Sequence, residues 1–242
     1  MLKILFSPSE GKYSGGKDIP QELFGAKNAR KEILTAYREI VLSEDEEAIK
    51  KLFGLKKSSE CAPYRVDIFN APLMYAIERY KGVAYDYLKY QEQESTTQAY
   101  LREHTIIFSN LYGPLRGGDA IANYKVKQGN SIRGIVPEKF YKDRFSYQLD
   151  LYLQDKEILD LRAGYYDKFY KVTKPYTTLK FLKNGKTVSH WAKAYRGIVL
   201  REIAKAGIDS LDAFNTLEIE GLNVHEIKKT KNKTEIVYNI VE

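Results

Sequence analysis

Cysteine is nearly missing from this 242-residue chain. The single Cys61 excludes an internal disulfide and any metal site built on several thiolates, and it suits a reducing compartment. Histidine is scarce as well. His104, His190 and His225 stand far apart, and no His-x-x-x-His or Glu-x-x-His spacing puts two ligands on one helix face. No apolar run approaches membrane-spanning length, and the N-terminus lacks the charged, apolar and small-residue zones of a secretory signal. Nor does any repeat, linker or low-complexity stretch divide the chain. These absences lead us to expect one cytoplasmic domain over residues 1–242, with no metal, no cofactor and no membrane partner. A monomer is favoured.

What is present in excess is positive charge, and it is unevenly placed. The formal net charge is +7. Between Lys168 and Lys205, eight Lys and two Arg face one acid, Glu202, a local balance of +9 that leaves the remainder of the chain at −2. A surface that meets polyanions has this distribution, although solvated lysines on exposed strands give the same count.

Periodicity places helices at residues 28–40 and 43–53, the second with a capping box at Ser43-Glu44-Asp45-Glu46 and a stop at Gly54. Residues 72–80 read as a short helix, and 1–5, 105–108 and 157–161 as strands. Asn184-Gly185 predicts a tight hairpin between strands 178–183 and 186–190. A helix over 191–206 follows, with Tyr195, Val199, Ile203 and Ala206 at core spacing, and Gly207 ends it. Asp209 can cap a second short helix, and 223–241 reads as a hairpin. Irregular alternation of strands and helices argues for an α+β (mixed α/β) fold around a central mixed sheet.

Three stretches carry candidate chemistry. FSPSEGKYSGGK, residues 6–17, follows the first strand but fails as a phosphate-binding P-loop: Phe6 fills the upstream glycine slot, and Tyr13 stands where a magnesium-binding hydroxyl belongs. Ser7, Ser9 and Lys12 still lie at a strand's C-terminal end, where α/β proteins place binding groups. LYGPLRGGDAIANYKVKQG, residues 111–129, offers Arg116 to clamp phosphate and Tyr112, Tyr124 and Lys125 to bond or stack, with Asp119 positioning Arg116. Helix, glycine turn and short helix over about 193–217 form a helix-hairpin-helix-like element. Its free backbone N–H groups could face a phosphate, and Lys193 and Arg196 share a helix face, as Arg201 and Lys205 do further along. An ordinary helical hairpin packing Ile208 and Phe214 inward remains open.

Taken together, the motifs resemble the YaaA peroxide-stress protein family, a bacterial cytoplasmic family. The matching pieces are Ser7-Pro8-Ser9-Glu10-Gly11-Lys12, Tyr80-Lys81-Gly82-Val83-Ala84-Tyr85, and Leu111-Tyr112-Gly113-Pro114-Leu115-Arg116 leading to Asp119, Tyr124-Lys125 and Gly129. Last comes Ser189-His190-Trp191-Ala192-Lys193-Ala194-Tyr195-Arg196-Gly197. They occur in the family's order over nearly the full length. The resemblance implies a compact fold with a basic cleft, a helix-hairpin-helix, DNA binding without strong sequence preference, and survival of hydrogen peroxide through less free iron and less DNA damage. Two departures stand out: Leu161-Arg162-Ala163-Gly164 where members often carry acids, and Glu10 where others carry Lys.

The preferred reading is a non-enzymatic stress protein that binds duplex or branched DNA through Lys193, Arg196, Arg201, Lys205 and the Gly207 turn. The alternative is an enzyme acting on a nucleotide, nucleobase or phosphorylated small molecule. Its pocket would draw on Ser7, Ser9, Lys12, Lys81, Tyr112, Arg116, Tyr124, Lys125 and Ser189, with Lys193 and Arg196. Iron storage ranks last, because ligand clusters are missing.

Overall fold

A computed structural model describes residues 1–241, and the side chains of Lys27 and Ser189 lie outside the described part. The chain begins with β1 (Leu2–Phe6), the two-residue β2 (Gly11–Lys12), and helices α1 (Lys31–Val41), α2 (Glu46–Phe53) and α3 (Ser58–Cys61). Then come β3 (Leu73–Tyr75), α4 (Ala76–Arg79), β4 (Tyr80–Lys81), α5 (Val83–Leu88) and α6 (Ser95–His104). Strands β5 (Thr105–Ser109), β6 (Gly113–Arg116) and β7 (Ala120–Ala122) precede the long α7 (Pro137–Leu153) and β8 (Glu157–Asp160). The last third holds β9 (Tyr176–Lys183), β10 (Lys186–Thr187), α8 (Ser189–Lys205), α9 (Leu211–Asn215), β11 (Leu222–Lys229) and β12 (Lys233–Ile240).

The expected central mixed sheet is present, with strand order β11-β12-β9-β8-β1-β5-β6 and β10 added beside β9. Its middle, β12-β9-β8-β1-β5, is parallel throughout. Antiparallel β6, β10 and β11 complete it. β1 and β5 are buried at every residue, which explains why both read as nearly unbroken apolar runs. From β1 the chain passes to β5 on one side and later to β8 on the other. The crevice between β1 and β8 is therefore a topological switch point, where open α/β sheets receive ligands.

Several local expectations shift by a few residues. α2 begins after Asp45, whose carboxylate accepts from the Ala48 N–H (2.9 Å), so the cap is Asp45 and not Ser43. Gly54 ends it at φ +67°. The predicted helix over 72–80 is strand β3 followed by the single turn α4. The Asn184-Gly185 turn has φ positive at both residues, as a type I′ hairpin requires, but β10 is only two residues long because α8 already starts at Ser189. Tyr195, Val199 and Ile203 are buried on α8, whereas Ala206 is exposed. Ser210, not Asp209, caps α9.

Candidate functional site

Ser7 is the first residue past β1, and Ala163 lies three residues past β8. The Ser7 hydroxyl accepts from the Ala163 N–H (2.8 Å), clipping the two strand exits together. Tyr85 of α5 donates to the Ser7 carbonyl (2.9 Å), and its ring meets Phe6 edge-on. Ser9 packs on Gly82 at the entry to α5; a Cβ there would lie 2.7 Å from the Ser9 hydroxyl, and Gly82 has φ +137°. These groups surround a cavity of about 390 Å³ at the switch point, closed on the other side by Tyr166, Lys193 and Arg196. The cations arrive because α8 presses directly on α5: a Cβ at Gly197 would run into the Ala84 carbonyl.

Lys193, Arg196 and the Glu10 carboxylate line this cavity, and a buried ion pair lies beneath it. Asp160 closes β8, and Arg162 turns inward to grip it with Nε (2.9 Å) and Nη2 (2.7 Å). Arg162 also donates to the carbonyls of Tyr166 (3.1 Å) and Tyr170 (2.9 Å), and its guanidinium covers the Phe108 ring. Arg162 thus occupies both oxygens of Asp160. Arg196 has no ion-pair or hydrogen-bond partner among the described residues, although Asp160 partly offsets the burial that lowers its affinity for the proton. A guanidinium stays protonated under such shifts, so the cavity wall carries a half-buried cation with no direct ion-pair partner among the described residues, in a cavity that Glu10 also lines.

Behind the cavity runs a chain of hydroxyls. Tyr124 bonds Ser109 (2.7 Å) and Tyr80 (2.9 Å), and the Ser109 oxygen also accepts the Leu111 and Tyr112 N–H groups. Lys12 turns its ammonium inward, over the Tyr124 ring at 3.9 Å, and donates to the carbonyls of Ser9 (3.1 Å) and Glu10 (3.3 Å). Desolvation, reinforced by Lys125, holds its pKa well below that of an ordinary lysine. The unfolded chain therefore binds this proton more readily, and stability rises with pH up to the ordinary value of about 10.4. Urea melts of wild type and Lys12→Met are expected to diverge in favour of wild type as pH rises toward about 10.4. A constant difference would mean the amine is not enclosed.

The structure brings together only part of the predicted constellation. Ser7, Ser9, Lys193 and Arg196 line one cavity, with Lys12 and the buried Tyr124 behind it. Tyr112 is buried edge-on against Tyr124. Lys81 is exposed over Tyr13, and Lys125 reaches over Tyr64. Ser189 starts α8, but its side chain lies outside the described residues. Arg116 corrects the grouping: it pairs with Ile106 at the opposite end of β5, bound to Asp119 as its spacing suggested. Arg201 and Lys205 both reach Glu202 (2.7 and 3.7 Å). Gly207 turns at φ +62° with open space beside it. At the entry to α9, the Leu211 N–H donates to Glu157 and the Ala213 N–H to Ser210, so protein oxygens already fill places expected for phosphate. Tyr85, Tyr166 and the Asp160–Arg162 pair were not foreseen as site residues. Tyr85 alone had a signal, as the last residue of the Tyr80–Tyr85 motif. Among the described residues no group of three or more His, Cys, Asp or Glu is placed to hold a metal ion.

Fold and cavity together define a mixed α/β protein with a polar cavity at the C-terminal ends of parallel strands, lined by Lys193, Arg196 and Glu10. The family model described as "Peroxide stress protein YaaA" matches residues 2–228, and the chain belongs to that family. It is 42% identical to an uncharacterized protein of Campylobacter jejuni over 249 residues, covering 100% of both chains. It is also 30% identical to a UPF0246 protein of Corynebacterium efficiens (96% of this chain, 98% of the relative) and 28% identical to one of Streptomyces coelicolor (85% and 84%).

Proposed function

We propose that this peroxide-stress protein acts as a cytoplasmic monomer that holds DNA by its phosphates at the mouth of the β1/β8 cavity, without strong sequence preference. The observation that carries this reading is Arg196, a cation left without a protein partner because Arg162 occupies Asp160. Beside it the exposed Lys193 gives a second positive charge one helical turn away. Phosphate contacts of this kind fix orientation and carry no base information. Through such binding the protein would limit DNA damage during peroxide stress, in step with lower free iron. No helix among the described residues is long and apolar enough to cross a membrane.

The cavity's size and the hydroxyl chain behind it favour a second reading, an enzyme acting on a nucleotide or phosphorylated small molecule. One panel separates the two: single-stranded, duplex and branched DNA titrated at several salt concentrations. DNA binding is expected, with affinity falling by a log–log slope of about −0.9 per phosphate engaged. A protein that ignores all three DNA forms would leave the enzyme reading in its place.

A further inference from the structure

Arg116 belongs to a second cavity, of about 660 Å³, at the end of the sheet where β1 and β5 begin. The pair Gly117-Gly118 builds it. A Cβ at Gly117 would lie 2.5 Å from the Leu101 carbonyl, and one at Gly118 would lie 3.3 Å from the Arg102 side chain. Both glycines let the turn after β6 lie on the end of α6, and this contact brings Arg102 beside Arg116. Asp119, with its side chain fully buried, takes Nε of Arg116 (2.7 Å) and fixes the plane of the guanidinium. Both terminal nitrogens of Arg116 remain without a partner among the described residues. Arg102 spends one nitrogen on the Tyr90 hydroxyl (2.8 Å) and lies over the Tyr75 ring. Lys3, nearly fully buried, gives one proton to the Glu103 carbonyl (2.8 Å) and lies over Tyr152.

Three cations thus face the cavity with donors to spare. Two carboxylates, Glu22 and Glu103, also line it; among the described residues neither forms an ion pair with the three cations, although Glu103 is close enough to support the charge on Lys3. Burial works most strongly against the charge on Lys3, Glu103 partly supports that charge, and Lys156 and Arg116 oppose it, so an anion placed between Lys3 and Arg116 would add to the support Glu103 gives. We propose that this cavity binds a small phosphomonoester bearing hydroxyl groups, either a sugar phosphate or a mononucleotide. The planar fork of Arg116 receives the phosphate together with Arg102 and Lys3. Glu22 and Glu103 accept from the hydroxyls, and Tyr75 and Tyr152 wall the site. This requires nothing of the DNA reading, whose cations lie past the opposite ends of β1 and β8.

Isothermal titration with ribose 5-phosphate, ribose and AMP tests it. Ribose 5-phosphate is expected to bind and ribose to bind at least about tenfold more weakly, the loss of a charge-assisted contact. Arg102→Gln should weaken ribose 5-phosphate by about tenfold or more. Arg116→Gln combined with Asp119→Asn, which leaves no orphaned carboxylate, should do the same. Arg196→Gln should leave this binding as it was. Tighter binding of AMP assigns the mononucleotide, and equal affinity assigns the sugar phosphate. The proposal is overturned if neither phosphate binds, or if binding survives Arg102→Gln and is lost in Arg196→Gln.

Discussion

Exchanging Lys193 and Arg196 together for Glu is expected to weaken duplex binding by about a hundredfold or more, since each lost charge-assisted contact removes on the order of tenfold. The same variant should flatten the salt dependence by about 1.8 log units per log unit of salt, 0.9 for each of two phosphates. Fluorescence anisotropy at several ionic strengths reads both quantities at once. Neither side chain bonds a protein group that the exchange would orphan, so a folded variant is expected. Arg201→Gln with Lys205→Gln should have a much smaller effect, because both side chains already share the Glu202 carboxylate. If the doubly reversed protein binds as wild type at every salt concentration, phosphate does not sit at this cavity.

Arg162→Met is expected to cost about 3–5 kcal/mol of stability, the loss that follows when one partner of a buried ion pair is removed. Methionine keeps much of the aliphatic stem over Phe108 but abandons both oxygens of Asp160 and two backbone carbonyls. Released from Arg162, Asp160 becomes available to Arg196, so DNA affinity should fall with stability. The double variant Asp160→Asn, Arg162→Met removes the orphaned charge and should recover part of each. Guanidinium melts measure the first effect and the DNA titration the second. Recovery of stability without recovery of binding would show that Asp160 does not govern Arg196.

Strands β1, β5 and β8 were legible because a parallel interior strand must be apolar on both faces. The 17-residue helix α7 was not anticipated, for the converse reason. Phe140, Phe145 and Leu149 are buried on it while Tyr147 (73% exposed) and Leu151 (50%) face outward, so its apolar residues form no single stripe. Grouping Tyr112 with Arg116 failed on simple geometry. β6 starts directly after Tyr112 and ends at Arg116, and at about 3.3 Å per residue it carries Arg116 back toward the far end of the sheet. Lys193 and Arg196 were legible from their spacing on one helix. The grip of Arg162 on Asp160 was not, because two residues that leave a strand together carry no periodic signal. Cap positions slipped by one or two residues, at Asp45 and Ser210, where several neighbouring polar side chains could each have served.

The central position of β1 also has a consequence for how the chain is made. Leu2–Phe6 is the earliest of the strands to be synthesised, yet its register partners begin at Thr105 on one side and Glu157 on the other. At about 5–20 residues per second, this apolar segment waits on the order of ten seconds for either neighbour. Throughout that interval its edges stay open to whatever else is nearby. Nascent chains of this protein should therefore lean on a ribosome-bound holdase until β8 emerges.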